Sequence, residues 1–586
     1  MARVNKPVDV VVVGLGWAGS VMALELGRAG LRVVVLERGP MRDTAQDFNI
    51  AAAPDELRYA VRKDLMAPVA RTAVTVRNTA AQTALPMRRW GSFWPGHGVG
   101  GAGLHWQGIS YRFQPEEFRL RSHLVERYGA GALAPDLAVQ DWGVDWREME
   151  PHYAAFEAIV GVSGRAANIG ATRRDGGNPF EGPRSGEYPT PPMRQTYGPT
   201  RFADAAAAMG YKPFPMPAAT LSQAYTNLYG ATMGPCTYCG FCVPYGCTNY
   251  SKSSPNIAVL PALKLNPNVE IRTNVAVTRV LSRADGKTVS GVRYVDDKGD
   301  AVDQPAEVVV VTAFALENVR LMLLSQIGAP YDPRTGAGVT GRNYSYQTPS
   351  RVALFFANER FNPFIAAGAG GMAIEELNND NFDHGGLGFF GGASVFLAPP
   401  GAAPIGARPT PAGTPRWGAE WKEATAAHYL SSVAINVQGS SLTSRDNYLS
   451  LDPTYTDAYG DPLLRVTFDF TDNDRRMSRH CTSKAAEIGR AMGARRIEPH
   501  PVTGSWDSSV YQTTHVTGGF VMGTDPTTSA VNSALQSWSA PNLFVVGASA
   551  FPQNPGYNPT MTVGALALRA VVGVRDYLKS PGRSAQ

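Results

Sequence analysis

Four of the five cysteines fall within twelve residues and could together bind a metal centre: Cys236, Cys239, Cys242 and Cys247, in the run GPCTYCGFCVPYGC. Four thiolates this close in sequence can wrap one compact iron–sulfur cluster. Structural zinc usually takes two CxxC arms that are a dozen or more residues apart. A disulfide between cysteines three residues apart closes a strained loop. The spacing therefore favours an iron–sulfur cluster over zinc, and zinc over disulfides.

The number of iron atoms in such a cluster is left open by the sequence. Three of the four cysteines would suffice for a three-iron cluster. We expect 3Fe-4S rather than 4Fe-4S. The fifth cysteine, Cys481, lies on a predicted helix, where a buried structural thiol is expected.

A histidine and an asparagine near the C-terminus form a second candidate group. His515 opens the run HVTGGFVMG, and Asn558 opens the run NPT. Asparagine before proline at a helix start is an ordinary N-cap, and a lone histidine in a glycine-rich loop is usually a surface or satisfied side chain. Neither residue alone predicts catalysis. Whether the two indicate a catalytic site depends on the glycine-rich loops elsewhere in the chain.

Two glycine-rich loops could bind a dinucleotide. Gly14, Gly16 and Gly19 lie between a β-branched run at 9–13 and an apolar-periodic helix, and the next strand ends in Glu37. This context matches the dinucleotide fingerprint, in which the glycines allow a tight turn, close backbone approach to a pyrophosphate and helix packing, and the acidic residue binds a ribose. The alternative is a glycine-rich turn in an ordinary α/β unit. The second loop, at 96–106, contains Gly100 and Gly101.

The elements that would position these residues follow from hydrophobic periodicity. They comprise a strand pair at 269–281 and 289–294, a buried strand at 306–311 with a helix at 316–324, a strand at 542–546 and a helix at 560–572. Strands at 351–356, 428–437 and 463–468, with a helix at 472–493, indicate a second, antiparallel domain. A further helix is predicted near 145–160.

Composition limits the class of protein. Of 586 residues, 44% are apolar and 18% charged, so a large core is available and disorder is excluded. The net charge of +5 comes without a basic block, which gives nucleic-acid binding no support. The N-terminus is charged and without an apolar core segment, and the uncharged run at 10–24 is too short to span a membrane, so we expect no secretory signal or anchor.

Over nearly its full length the chain resembles the glucose–methanol–choline (GMC) family of flavin oxidoreductases. The motifs are GLGWAGS at 14–20, VGGAGLHW at 99–106, HVTGGFVMG at 515–523 and NLFVVGASAFPQNPGYNPTMT at 542–562. Within the family it is similar to the large subunits of bacterial membrane-bound sugar and sugar-acid dehydrogenases, because these share the cysteine-rich insertion that the oxidases lack.

The resemblance implies an α/β fold with three parts: a Rossmann-like FAD-binding domain, a discontinuous antiparallel-sheet substrate domain and a cysteine-rich iron–sulfur insertion. The FAD-binding domain would comprise 1–120, 200–345 and 500–586, with the cluster segment at 233–252. The substrate domain and insertions would comprise 121–199 and 346–499.

The resemblance also assigns residues to the cofactor. FAD would lie across Gly14, Gly16 and Gly19, with Glu37 on the adenosine ribose and the backbone of Val277 at the adenine. The further cofactor residues are Gly100, Gly101, His105, Gly547 and Thr560. Some relatives attach FAD covalently at the position of His105 and others do not, so covalency stays open. Ala102 and Trp106 depart from the common family loop, which has Ser or Thr and Asn there.

The implied activity is alcohol oxidation. His515 would take the hydroxyl proton as general base, Asn558 would orient the hydroxyl, and hydride would pass to the flavin. The helix from Thr560 would point its N-terminus at the flavin edge where negative charge accumulates. The preferred substrate is D-gluconate, oxidised to 2-keto-D-gluconate. Fructose, sorbitol, 2-ketogluconate, glucose and a glucoside at C3 are alternatives, and a non-catalytic, zinc-stapled binding subunit is the alternative of another class.

The resembled subgroup works at the periplasmic face of the inner membrane, and this implies partners. They would be a small subunit carrying a twin-arginine signal and a multi-haem cytochrome c subunit, which would receive electrons through the cluster and supply the only membrane attachment. A cytoplasmic enzyme with another soluble acceptor is the alternative.

Overall fold

A computed structural model describes residues 2–48, 65–68, 74–88, 92–399, 401 and 409–581. Its central sheet has eight strands. Six follow in the spatial order Val269–Arg272, Val33–Leu36, Val8–Val13, Ala301–Val311, Val289–Val295 and Ala276–Ser282. The remaining two, Arg3–Val4 and Leu543–Val545, also pair with Ala301–Val311.

The long strand Ala301–Val311 joins two kinds of pairing. Its first half pairs antiparallel with Val289–Val295, and its second half pairs parallel with Val8–Val13 and Leu543–Val545. The run 308–311 is four valines without solvent exposure. A continuous β-branched run is typical of a parallel strand that is covered on both faces. The buried strand predicted at 306–311 is therefore confirmed, as the second half of this longer strand.

Helices cover this sheet. Trp17–Arg28 and Trp146–Val160 both contact the C-terminal helix Thr560–Lys579. A Cβ atom at Gly564 would lie 2.2 Å from Phe156 Cε1, so glycine is what lets these two helices approach. The helix Ala315–Leu324 follows the long strand directly. The helix predicted near 145–160 is thus confirmed, and the C-terminal helix is longer than predicted.

A second sheet of six antiparallel strands has its own core. Its order is Arg496–His500, Thr348–Phe355, Ser432–Gly439, Ala393–Leu397, Met372–Ile374 and Phe214–Pro215. Helices Asp472–Ala491 and Tyr197–Ala208 pack against it. Thr471 and Asp474 form a capping box that begins the longer helix, on which Cys481 is buried as predicted.

The strand predicted at 269–281 is wrong as one element. The structure divides it into Val269–Arg272, which pairs parallel with Val33–Leu36, and Ala276–Ser282, which pairs antiparallel with Val289–Val295. Asn274 lies between them with a φ of 58°. A left-handed residue ends the extended backbone, so the chain changes its pairing partner there.

Two predictions for the second domain also need correction. The strand predicted from 428 begins at 432, because Ala419–His428 is a helix. Pro462–Thr467 belongs to a separate mixed sheet, where it pairs parallel with Thr75–Arg77. The other strands of that sheet are Tyr448–Thr456 and Leu85–Pro86.

The shorter elements lie on the connections. The helices are Thr44–Asp47, Leu120–Tyr128, Pro255–Ala258 and Leu260–Lys264, with 3-10 turns at Gly101–Leu104, Pro115–Arg119, Ala130–Ala132 and Ala548–Ala550. Two-residue strands pair as Asn168–Ile169 with Thr172–Arg173, Tyr225–Thr226 with Thr232–Met233 and Ser345–Tyr346 with Val516–Thr517. Among the described helices, none has the length and apolar character needed to cross a membrane.

The domain boundaries drawn from the sequence stay a prediction. The helix Tyr197–Ala208 spans the division drawn between 199 and 200, and Phe214–Pro215 joins the six-stranded sheet.

Candidate active site

A cavity of about 980 Å³ lies between the two large sheets. One wall contains Val13 and Leu36, the last residues of two parallel strands, and the opposite wall contains Phe396 and Asn436 of the six-stranded sheet. Crevices at the carboxyl ends of parallel strands are where α/β sheets bind ligands. Of the residues predicted to be catalytic or to bind the cofactor, all except Gly19 and Gly100 line this cavity.

The glycine turn shapes one end of the cavity. A Cβ atom on Gly16 would meet nothing within 4 Å, and one on Gly101 would lie 3.3 Å from the Gly16 Cα. Two backbones therefore meet at the wall and leave open space in front of Gly16. Gly16 is also the N-cap of Trp17–Arg28 and supplies no capping side chain, so the first N–H groups of this helix are available to a phosphate. These features fit the pyrophosphate of a dinucleotide.

Gly19 and Gly100 act from behind this wall. A Cβ atom on Gly19 would lie 2.0 Å from the Gly14 carbonyl oxygen, and one on Gly100 would lie 2.1 Å from Asn256 Oδ1. These two glycines allow the close packing of the loops, and they do not face the cavity.

Glu37 lies at the end of its strand as the fingerprint predicts. Its carboxylate accepts hydrogen bonds from the backbone N–H groups of Leu15 and Gly39, at 2.9 and 2.8 Å. The side chain thereby holds the glycine turn against the strand, and it lines the cavity. A ribose contact of Glu37 stays a prediction, as do the cofactor contacts of Val277, Gly547 and Thr560, which line the same cavity.

The structure brings His515 and Asn558 together at the other end. The His515 Nε2 and Asn558 Nδ2 atoms are 3.3 Å apart, and both residues line the cavity. Burial lowers the pKa of His515 to about 4. At neutral pH the imidazole is therefore uncharged and able to accept a proton.

Two amides that the sequence analysis missed contact this pair. Gln347 Oε1 lies 2.6 Å from His515 Nδ1, and Gln438 Nε2 donates to Asn558 Oδ1 at 3.0 Å. They precede their partners by 168 and 120 positions, and both are ordinary polar residues in or beside strands. No motif or periodicity in the sequence distinguishes them.

His105 is buried in the cavity wall. Among the described residues its Nε2 atom has no hydrogen-bond partner. Burial, together with the charge of Lys252, lowers the pKa of His105 to about 3. An uncharged, unpartnered ring nitrogen suits attachment or close approach of a cofactor, and covalent attachment stays a prediction.

The four clustered cysteines line one small pocket, together with Lys252. Backbone N–H groups donate to three of the sulfurs: Tyr238 to Cys236 at 3.3 Å, Lys252 to Cys247 at 3.3 Å and Gly368 to Cys242 at 3.1 Å. Such N–H···S bonds are those that tune cluster-bound thiolates, so the donor set fits a cluster chemically. Within the described residues, however, no group of three or more His, Cys, Asp or Glu is arranged to hold a metal ion.

The side chain of Lys252 is buried between the glycine-rich loop at 96–106 and the cysteine loop. Its Nζ donates to the carbonyl oxygens of Trp106, Cys242 and Tyr245, at 2.8, 2.5 and 2.7 Å. The two loops are thus joined by one side chain.

Comparison with family models agrees with this geometry. The "GMC oxidoreductase" models match residues 219–346 and 443–567, and an "FAD dependent oxidoreductase" model matches residues 9–154. The matched segments contain the glycine turn, the cysteine motif and the residues His515 and Asn558.

Individual proteins are similar over nearly the whole chain. The "gluconate 2-dehydrogenase flavoprotein" of Pantoea cypripedii is 48% identical over 99% of this chain and 96% of its own length. The "fructose dehydrogenase large subunit" of Gluconobacter japonicus is 26% identical over 99% of this chain and all of its own. A solved structure, pyridoxine 4-oxidase from Mesorbium loti, aligns with a TM-score of 0.57 at 19% identity, over 98% of this chain and 99% of that one, and shows the fold alone.

Proposed function

The chain belongs to the GMC oxidoreductase family and is an FAD-dependent dehydrogenase, and we propose that it oxidises D-gluconate to 2-keto-D-gluconate. The observation that carries the proposal is the His515–Asn558 pair in a cavity that continues to the glycine turn. The choice of substrate rests on the similarity to a protein named for gluconate oxidation.

In the proposed reaction, His515 Nε2 accepts the proton of the C2 hydroxyl. The imidazole is uncharged before this step, because burial holds its pKa low. Asn558 Nδ2 donates a hydrogen bond to the substrate oxygen, on which negative charge develops as the proton leaves. When bound, FAD supplies the acceptor for the hydride of the substrate carbon.

Fructose is a second candidate, because of the charge distribution in the cavity. The carboxylates and guanidinium groups among the described lining residues lie at the nucleotide end, where Arg38 pairs with Glu317 and Arg320 with Asp457. The lining also contains the amides Gln107, Asn436, Gln438 and Gln512, of which Gln438 donates to Asn558. Amides bind hydroxyls of neutral and acidic sugars alike.

An anaerobic visible spectrum of the purified protein tests this proposal. The flavin band should bleach promptly after addition of D-gluconate and slowly, if at all, after addition of D-fructose. If fructose bleaches the flavin band and gluconate does not, fructose is the substrate and the gluconate assignment is wrong. A flavin band that none of the sugars bleaches would contradict the proposed reaction.

Electrons would leave through an iron–sulfur cluster held by Cys236, Cys239, Cys242 and Cys247. Support comes from the common pocket of the four sulfurs and the three N–H···S bonds. Iron and acid-labile sulfide in purified protein test the cluster. We expect Cys242→Ser to lower both, while Cys481→Ser, a change to the buried cysteine on the long helix, leaves them unchanged. Zinc without sulfide would overturn this assignment.

We further propose that the chain works with partners at the periplasmic face of the bacterial inner membrane. The partners would be a small subunit that carries a twin-arginine signal and a multi-haem cytochrome c. The name of the fructose dehydrogenase relative, a large subunit, supports an assembly of unlike subunits. Affinity purification from detergent-solubilised membranes of the native host should recover a haem-containing chain. Recovery of the chain alone, from the cytoplasmic fraction, would contradict the proposal.

A further inference from the structure

Gln347 lies where the catalytic histidine loop meets the six-stranded sheet. The strand Ser345–Tyr346 pairs with Val516–Thr517, and Thr348–Phe355 belongs to the six-stranded sheet. The Gln347 backbone N–H donates to the His515 carbonyl oxygen at 3.2 Å. This pairing fixes Gln347 directly beside His515, on the side away from Asn558 Nδ2.

The orientation of the Gln347 amide is determined by its surroundings. Its Nε2 donates two hydrogen bonds, to the carbonyl oxygens of Pro555 and Tyr557, both at 2.9 Å. The flipped amide would direct its oxygen at two carbonyl oxygens, which cannot donate. The Oε1 atom must therefore face His515 Nδ1, which is 2.6 Å away.

An amide oxygen only accepts, so His515 Nδ1 must carry the proton of this hydrogen bond. A neutral imidazole has one N–H, which leaves a lone pair on Nε2. Asn558 faces that atom with its donor nitrogen, because its oxygen accepts from Gln438. The two amides thus require the same tautomer from opposite sides of the ring.

We propose that Gln347 is a positioning residue that fixes the tautomer of His515, so that Nε2 is the atom that accepts the substrate's proton. The inference rests on the proposed function, in which His515 is the base. Gln347 also holds the loop that carries Asn558, because its Nε2 donates to Pro555 and Tyr557 of that loop. One buried side chain therefore sets the position of the base and of its partner. Gln347 lines the cavity, and in this role it acts through His515 and Asn558.

The groups that contact His515 are uncharged, so a change in its pKa after a substitution can be assigned to that substitution. In the part of the chain that the structure describes, the other groups hydrogen-bonded to His515 are Asn554, Asn558 and Thr513, none of which titrates. In Gln347→Glu one carboxyl oxygen would face Nδ1 and the other the two carbonyl oxygens, so the carboxyl ionises only together with protonation of the ring. This coupling raises the pKa of the buried histidine. The acid limb of the pH profile for flavin reduction should then move to higher pH by about one unit or more. A side chain whose oxygen does not face His515 Nδ1 would leave that limb in place.

The chain offers a matched control in Gln304, a buried glutamine of the central sheet. Its Nε2 also donates to two carbonyl oxygens, those of Lys6 and Pro305, and its Oε1 accepts from Arg272. Gln304 lies outside the cavity lining. Gln304→Glu should therefore leave the acid limb unmoved, whatever it does to stability.

The direct test is the tautomer itself, measured by nitrogen-15 NMR on histidine-labelled holoenzyme, with His515→Ala to assign the signal. We expect a protonated Nδ1 and an unprotonated Nε2 at neutral pH. In Gln347→Met this preference should be lost, and the rate of flavin reduction by D-gluconate should fall by about 100-fold, with FAD retained and KM changed by less than about threefold.

A protonated Nε2 in the unaltered protein, or an unmoved acid limb in folded Gln347→Glu, would overturn the inference. If D-gluconate reduces neither protein, the proposed substrate fails, and the NMR signal still decides the role of Gln347.

Discussion

The two ends of the cavity are built in different ways. At the nucleotide end the backbone forms the site: Gly14 and Gly16 lie in one short turn, and Gly101 approaches them from a single second loop. At the catalytic end side chains form the site, and His515, Asn558, Gln347 and Gln438 come from four separate segments of the chain.

This difference determines which substitutions each end of the cavity tolerates and whether that end can be recognised from a sequence motif. A backbone site needs residues without a side chain at fixed spacing, which leaves a local pattern. A side-chain site needs suitable polar groups close together in space. The pairing of strands that are distant in sequence brings them together, so they leave no local pattern. The proposed reaction takes place where the side-chain site, at His515 and Asn558, adjoins the backbone site that would bind the cofactor.

The largest effect should come from adding one methyl group to the backbone site. A Cβ on Gly16 meets no protein atom within 4 Å, whereas a Cβ on Gly19 would lie 2.0 Å from the Gly14 oxygen. We expect Gly16→Ala to fold normally and to keep less than about a tenth of the bound FAD, because the methyl occupies space that the pyrophosphate needs. Gly19→Ala should instead lower the thermal midpoint of the apoprotein. FAD content and thermal midpoints of both apoproteins check this, and equal behaviour of the two variants would contradict the assignment of cavity and packing sides.

A smaller effect is expected from removing the hydrogen bond that Gln438 donates to the Asn558 side chain. In Gln438→Leu the Asn558 oxygen loses its donor, so the Asn558 amide can rotate away from its productive orientation. The rate of flavin reduction should fall about 5- to 10-fold, which corresponds to about 1–1.4 kcal/mol, with FAD content unchanged. A loss of FAD at an unchanged rate per flavin would show that Gln438 serves the cofactor end.

The smallest effect is the response of the unaltered protein to pH. Burial lowers the pKa of His515 to about 4, and the base works only when it is unprotonated. Flavin reduction should therefore be almost constant between pH 6 and 8 and be lost as the pH falls toward about 4. Stopped-flow rates across this range measure it. An acid limb near the ordinary histidine value of about 6.5 would mean that the base is exposed to water.

The sequence predicted the elements whose signals are local. The glycine turn, the helix Trp146–Val160 with its capping residue Asp145, and the long helix Asp472–Ala491 are all present. The pairing of His515 with Asn558 came from the resemblance to the GMC family, whose motifs include the runs that these two residues open. The resemblance to the GMC family was confirmed by the family models and by the relatives.

What the sequence did not predict depends on long-range pairing. One apolar stretch divides at Asn274, and its halves pair with different strands. Pro462–Thr467 pairs with Thr75–Arg77, about 390 residues earlier, as in the bond from Arg77 Nε to Thr467 Oγ1. Gln347 was missed for the same physical reason, since its role comes from strand pairing beside His515 and not from its neighbours in sequence.

The most direct test of the whole account is anaerobic mixing of D-gluconate with the unaltered protein and with His515→Ala, each with its FAD content measured first. His480→Ala, a half-buried histidine of the long helix outside the cavity lining, serves as the control. The account predicts prompt bleaching in the unaltered and control proteins, and bleaching slower by about 100- to 10,000-fold in His515→Ala with full FAD content. Bleaching of His515→Ala at the rate of the unaltered protein would contradict it.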